Sequence, residues 1–309
     1  MTVHGATSDG TSWQVVRGVT GFLSVAGFVG LVYAAVFAPD LVPWYLRQYA
    51  VGVATVLSLT AMVCHLQLRL AAGARGDIES AATAVVRTAA RWAGVGILFY
   101  AAVMVYMCWS GGAMPIRYHE LLIGPGIAVV IAGVVVAYGL SKAVRVLRTP
   151  LNRIPDLDQT ETARRRLVLL SRWAGLVAAG VQGSVAYIDV QAPGLVPHYL
   201  HQYMVGLGAM PFIVALISHE EARGPDIDRA RTYLRVGALG SGGLLVVQWL
   251  THGAVVPRWH EFVLCVSDSL VVAGFLLRYG IYQMSRMVTA LQEMQRRVAE
   301  HMAKSGGHP

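Results

Sequence analysis

Long stretches in which apolar side chains follow one another almost without charge recur along this 309-residue chain. Eight of them fall at roughly 14–37, 43–68, 87–109, 119–146, 166–189, 197–220, 230–251 and 260–285. Each runs for about 22 to 28 residues, and about 20 are enough to cross a hydrocarbon core. The pattern predicts an all-α polytopic membrane protein with eight transmembrane helices. The connections alternate between short, proline-marked loops and longer polar ones of up to about 18 residues, none long enough for an extramembrane domain. The first stretch does not read as a cleavable signal, because it is too long and Phe37-Ala38-Pro39-Asp40 is a poor small-residue cleavage site. From Leu291 the sequence continues the last span as a short amphipathic helix.

The placement of positive charge gives the helices a direction. All but three of the 25 Lys and Arg flank the spans on one side, and only Arg47, Arg117 and Arg258 fall on the other. Cytoplasmic loops carry such an excess, so both termini are expected in the cytoplasm of a bacterial-type inner (plasma) membrane. Charged residues make up only 14% of the chain. A soluble domain carries about 25%, so a soluble enzyme, a disordered chain and a fibrous repeat are excluded. The net charge of +8 does not point to nucleic acid, because the basic run from Lys142 to Arg172 reads as a topology anchor beside anionic lipid. The expected partners are the bilayer and other membrane subunits. The three cysteines, Cys64, Cys108 and Cys265, have no metal-ligand spacing.

The chain also repeats itself. APDLVPWYLRQYAVG at 38–52 returns as APGLVPHYLHQYMVG at 192–206, an offset of 154 that also pairs Tyr33 with Tyr187 and His65 with His219. Arg117-Tyr118-His119-Glu120 returns as Arg258-Trp259-His260-Glu261 at an offset of 141, which also pairs Tyr138-Gly139 with Tyr279-Gly280. A shorter cytoplasmic loop in the second copy accounts for the change. The expected organisation is two four-helix units, 1–150 and 151–309. An even number of spans per unit gives both copies one orientation, as in parallel repeats about an axis along the membrane normal.

The polar residues gather at one level. Tyr45, Gln48, Tyr49 and Gly52 share a helix face, as do Tyr199, Gln202, Tyr203 and Gly206, and both stripes begin at the outer surface. The two Arg-x-His-Glu tetrads open their spans at that level, with His198, His201 and His252 beside them. One reading is an interfacial aromatic belt with capped helix starts. The other is a polar pocket between helices, in which Tyr45, Gln48, Tyr49, Arg117, His119, Glu120, Tyr199, Gln202, Tyr203, Arg258, His260 and Glu261 meet an anionic or hydrogen-bonding ligand. In that reading Arg117 and Arg258 supply bidentate donors and the histidines titrate near neutral pH. Asp268 joins the candidates as an acid inside the last span, between Ser267 and Ser269, with Gln182, Ser184 and Gln248 as possible partners. The matching position in the first copy is Ile127.

No cofactor is predicted, though a b-type haem could take His65 with His219 or His119 with His260. A transition metal could use His198-x-x-His201. Neither a phosphate-cradling glycine loop nor a hydrolase or zinc-protease motif is present.

Tyr33-Ala-Ala-Val-Phe37 followed by Pro43 to Gln48, and then His119-Glu120-Leu-Leu-Ile-Gly124 opening a helix, resembles the four-helix small membrane subunit of tripartite ATP-independent periplasmic transporters. The resemblance implies a non-catalytic scaffold beside a separately encoded transport subunit. That family's fused form carries one such unit and a long permease, whereas here there are two units and no permease. The functional expectation is therefore a transport-associated or ligand-binding membrane subunit. The alternatives are an electron-transfer or quinone-binding subunit, and an outer-face pH or ligand sensor acting through the C-terminal helix.

Overall fold

A computed structural model of the chain describes residues 5–38, 41–73, 78–148, 157–192, 194–224 and 226–305. They form eight helices: α1 Gly5–Phe37, α2 Trp44–Gly73, α3 Ile78–Trp109, α4 Ile116–Arg148, α5 Leu157–Gln191, α6 His198–Arg223, α7 Ile227–Leu250 and α8 Pro257–Ser305. Among the described residues there is no strand. The all-helical, membrane-integral reading of the sequence therefore stands, and α8 continues without a break through the tail. Seven helices are long and apolar enough to cross a membrane. The exception is α7, whose first turns carry Arg229, Arg231 and Arg235 and whose middle holds Gly240-Ser241-Gly242-Gly243. Its 24 residues have the length, but basic and small side chains dilute the hydropathy.

The helices break where the backbone must turn. Prolines 43 and 197 immediately precede the first turns of α2 and α6, and each carbonyl accepts a helical amide, from Arg47 and His201. Proline suits such a start because its missing N–H would have had no helical partner. The α3–α4 turn uses Gly111 and Gly112, both at positive φ, and the α7–α8 turn uses His252 and Gly253 in the same role. His252, at φ 51°, therefore holds a conformation that only glycine adopts without strain. It is exposed, outside the polar layer described below.

Packing follows the hairpins: α1 lies on α2, α3 on α4, α5 on α6 and α7 on α8. The pairs are joined through α4 and α8, which pack on each other, while α2 packs on α4 and α6 on α8. Small residues allow close backbone approach, as expected where lipid supplies no hydrophobic drive between helices. A Cβ on Gly133 would meet the Ala89 carbonyl oxygen at 2.4 Å, and one on Gly274 would meet that of Ala230 at 2.8 Å. These are corresponding positions of the two sequence repeats. At the α4–α8 crossing the Tyr279 ring lies over Gly139 and the Tyr138 ring over Gly280. Leu66, Leu70, Ala82, Val85, Ala89, Val136 and Leu140 form a buried cluster. Phe22, Leu98, Trp173 and Leu239 point outward and exposed. In water such a surface would be an aggregation hazard; in a bilayer it is the solvated face.

Candidate functional site

The prolines that start α2 and α6, and the turns that start α4 and α8, bring the polar stripes and the His-Glu pairs to one end of the bundle. Charge placement reads this end as the outer one. On α2, Arg47 Nε donates to Glu120 Oε2 at 2.9 Å and Gln48 Nε2 to Glu120 Oε1 at 2.9 Å. On α6, Gln202 Nε2 donates to Glu261 Oε1 at 2.7 Å, and His201 Nδ1 lies 3.1 Å from Glu261 Oε2. Arg47 and His201, Gln48 and Gln202, and Glu120 and Glu261 are corresponding positions of the two copies. Each glutamate thus ties its own helix to the stripe on α2 or α6. Among the described residues, the partners of both carboxylates are on neighbouring helices and not at the start of their own.

The second copy builds more on this frame. His201 Nε2 is 2.8 Å from Asp189 Oδ2, and His198 Nε2 is 3.1 Å from Glu261 Oε1. With a carboxylate oxygen at each ring nitrogen, His201 satisfies both only by donating from both. Arg258 NH1 donates to Asp189 Oδ1 at 3.2 Å and NH2 to the Val196 carbonyl at 2.7 Å. The expectation that Arg258 offers free bidentate donors to a ligand is corrected accordingly, since both arms of its guanidinium are engaged. The side chains of Arg117 and Tyr199 lie outside the described residues. Tyr45 is buried against Trp44 and the Gly253 turn.

Helices from the first and second halves of the chain meet at this end. His119 of α4 meets Tyr203 of α6, with Nε2 to OH at 2.7 Å. Tyr203 in turn packs edge-on against Tyr100 of α3. His260 of α8 meets Trp44 and Tyr49 of α2, ring edges to ring faces at centroid distances of 5.1 and 5.6 Å. Tyr49 donates to the Ser241 carbonyl of α7 at 2.8 Å. His119 and His260 are fully buried. Their hydrogen-bond roles can be worked out from Gln248, whose Oε1 accepts the Val255 amide and whose Nε2 donates to the Val255 carbonyl. That fixes which end of the amide is nitrogen, so the same Nε2 donates to His260 Nδ1 at 3.0 Å. The proton of a neutral His260 then sits on Nε2, which has no partner among the described residues. His119 Nδ1 is likewise without one. An unpaired buried donor costs about 1–3 kcal/mol, so His260 Nε2 marks a place where an acceptor would be held; His119 Nδ1 is a second such donor in the tautomer whose Nε2 accepts the Tyr203 hydroxyl.

The haem and metal expectations fit less well. A neutral imidazole has one lone pair, and a guanidinium can only donate into it. His65 takes Arg17 on Nδ1 at 3.4 Å and stacks on Trp92, and His219 takes Arg223 on Nε2 at 3.2 Å. His260 spends its lone pair on Gln248. His198 and His201 turn nitrogens to the same carboxylate, and among the described residues no group of three His, Cys, Asp or Glu is placed to hold a metal ion.

Asp268 stands away from this layer. Its partner is Ser241 Oγ at 3.1 Å, not the expected Gln182, Ser184 or Gln248. Gln182 donates to the Val205 carbonyl and Ser184 to that of Gly180. Sequence reasoning also missed Asp189, whose counterpart in the first copy is Ala35, and the pairs at the opposite end of the bundle. There Tyr138 donates to Glu221 with Lys142 on the same oxygen, and Gln67 donates to Tyr279. Gln67 and Glu221, at the offset of 154, were the signal available.

Compared with known proteins, the chain matches no family model, no curated protein and no solved structure.

Proposed function

We propose that the protein is a multi-pass membrane subunit, transport-associated or ligand-binding and without chemistry of its own, that holds an acceptor-bearing ligand in the polar layer between two parallel repeats. Units 1–150 and 151–309 are related by an axis along the membrane normal near the α4–α8 crossing. All eight helices span, with α7 carried across on the flank of α8, and both termini lie in the cytoplasm of a bacterial-type inner membrane. The matched contacts at both ends of the bundle support the repeat. The observation that carries the function is the pair of buried, unpartnered nitrogens on His119 and His260. A carboxylate or carbonyl oxygen complements the His260 Nε2–H, and His119 as well when its proton is on Nδ1. The likeness to the small subunit of tripartite ATP-independent periplasmic transporters supports only the transport-associated part of this reading, because that unit is a scaffold beside a transport subunit and lends no ligand residue.

Protein purified in mild detergent should be colourless and free of stoichiometric metal. Native mass spectrometry should find a small molecule or a second membrane subunit that a His119→Ala/His260→Ala variant loses. A Soret band that shifts on reduction, or one equivalent of iron or copper, overturns the reading in favour of electron transfer. Orientation has its own check. Cys108 is exposed at the end of α3, whereas Cys64 is buried. A membrane-impermeant maleimide added to intact cells should label Cys108 and spare Cys64; labelling of Cys108 only after the cells are broken would reverse the topology.

A further inference from the structure

The two copies agree along most of the α3–α4 and α7–α8 hairpins and part company at one depth. Gly96 on Val130 and Gly126 corresponds to Gly237 on Val271 and Ser267. Immediately after that shared contact the first copy reads Phe99-Tyr100-Ala101-Ala102, and the second reads Gly240-Ser241-Gly242-Gly243. On the facing helix, Ile127 of the first copy becomes Asp268. A phenylalanine, a tyrosine and an isoleucine have been exchanged for a glycine and two oxygen-bearing residues, in one half only. The glycines lie differently: a Cβ on Gly240 would meet Ser267 Oγ at 2.4 Å, whereas Gly242 and Gly243 are on the exposed face of α7 with nothing within 4 Å.

Asp268 lies eleven residues into α8, about 16 Å along its axis at ~1.5 Å per residue. Ser241 lies nine residues from the far end of α7, about 14 Å. Both therefore sit near the middle of a hydrocarbon layer ~30 Å thick. The carboxylate is exposed there, bonded to Ser241 Oγ at 3.1 Å, and no described cation of the chain is paired with it. The Ser241 carbonyl receives the Tyr49 hydroxyl from α2, in the other copy. The place is thus a seam bounded by α2, α7 and α8. A further helix needs about 10 Å of width and does not enter between α2 and α7, which are in hydrogen-bond contact; one docked on the exposed face with a lysine would shield Asp268 in every salt of the test below. A small ligand does enter the seam. The titratable groups facing the carboxylate are Tyr49 and Cys265, both ordinarily uncharged at neutral pH. No charge of the described chain therefore balances an ionised Asp268, and a cation that displaces its proton would supply the balance.

We propose that Asp268, with the Ser241 hydroxyl, is a membrane-embedded binding site for a small monovalent metal cation. The donors are all hard oxygens, which suit an alkali ion and not a thiophilic metal. A single carboxylate balances one positive charge, whereas divalent sites recruit several. An intramembrane acid is costly and persists where it has a partner or lines an ion path. The site goes beyond the outer layer; Tyr49 touches both, but neither His119 nor His260 takes part, and the test reads Asp268 alone.

The test uses the full-length protein in detergent and an apolar carbodiimide, which modifies carboxyl groups in membrane interiors. Adduct at Asp268 is read by peptide mass spectrometry in sodium, potassium or choline chloride at equal ionic strength and pH. Asp268 should be labelled in choline, and the protecting alkali ion should cut labelling about elevenfold at ten times its Kd. Sodium and potassium compared side by side identify the ion. The same ion should raise the melting temperature of the wild type but not of Asp268→Asn. Ser241→Ala should still be labelled at Asp268 in choline and need a higher concentration of the ion for protection. Equal labelling and equal melting in all three salts would mean a carboxyl that only titrates, and overturns the site. So does an Asp268 that is unlabelled in every salt.

Discussion

Glu261→Ala should be the most destabilising single substitution in the bundle. The carboxylate is the common acceptor for His198, His201 and Gln202. Its loss strands a histidine that both Asp189 and Glu261 hold in a doubly donating state. Removing one partner from a buried ionic network costs about 3–5 kcal/mol, because the other partner stays buried without compensation. Glu120→Ala strands Arg47 and Gln48, and Arg47 is 12% exposed where His201 is 2%, so water can relieve part of that loss. The expected order of melting temperatures in detergent is wild type, then Glu120→Ala, then Glu261→Ala. Equal melting of wild type and Glu261→Ala would show that the α6–α8 network does not hold the fold.

Gly133→Ala should cost about 1–3 kcal/mol, the usual penalty for overpacking a tight interface. The added methyl would lie 2.4 Å from the Ala89 carbonyl oxygen and 2.7 Å from the Ala93 amide nitrogen. Both are backbone atoms of a neighbouring helix, so relief requires α3 to move away from α4. Gly274→Ala meets the Ala230 oxygen at 2.8 Å and should cost less. Gly52→Ala, which meets nothing within 4 Å, is the control and should keep or slightly raise the melting temperature, since alanine favours the helix by up to about 1 kcal/mol. A Gly133→Ala protein as stable as the control would mean that the two helices are not in backbone contact.

Some of this was legible in the sequence because similar polar residues recur at a fixed offset. Gln48 with Gln202 and Glu120 with Glu261 stayed polar in both copies, and these are the residues that meet. Periodicity put the stripes and the tetrads at one depth. It could not say that the glutamates reach sideways to α2 and α6, since a helix start and a neighbouring helix are both within a glutamate's reach. Asp189 escaped notice for the opposite reason. It is polar in one copy only, and an acid near the end of a span is cheap enough not to signal a role. Ser241 was hidden in a glycine-rich run that reads as packing, and its bond to Asp268 depends on how α7 lies against α8. Arg258 was misjudged because a free and an engaged guanidinium look alike in a sequence.

One helix joins the ends of the bundle mechanically. α8 is 49 residues long without interruption, a rod of about 74 Å. The residues that engage the outer layer, His260 and Glu261, occupy its first turn, and its last twenty residues lie beyond Ser285, where the apolar span ends. With the outer end pinned, a tilt of 5° displaces the far tip by about 6 Å. The clamp on Glu261 therefore also fixes where the far end of the same rod lies, with any change in its angle multiplied by its length.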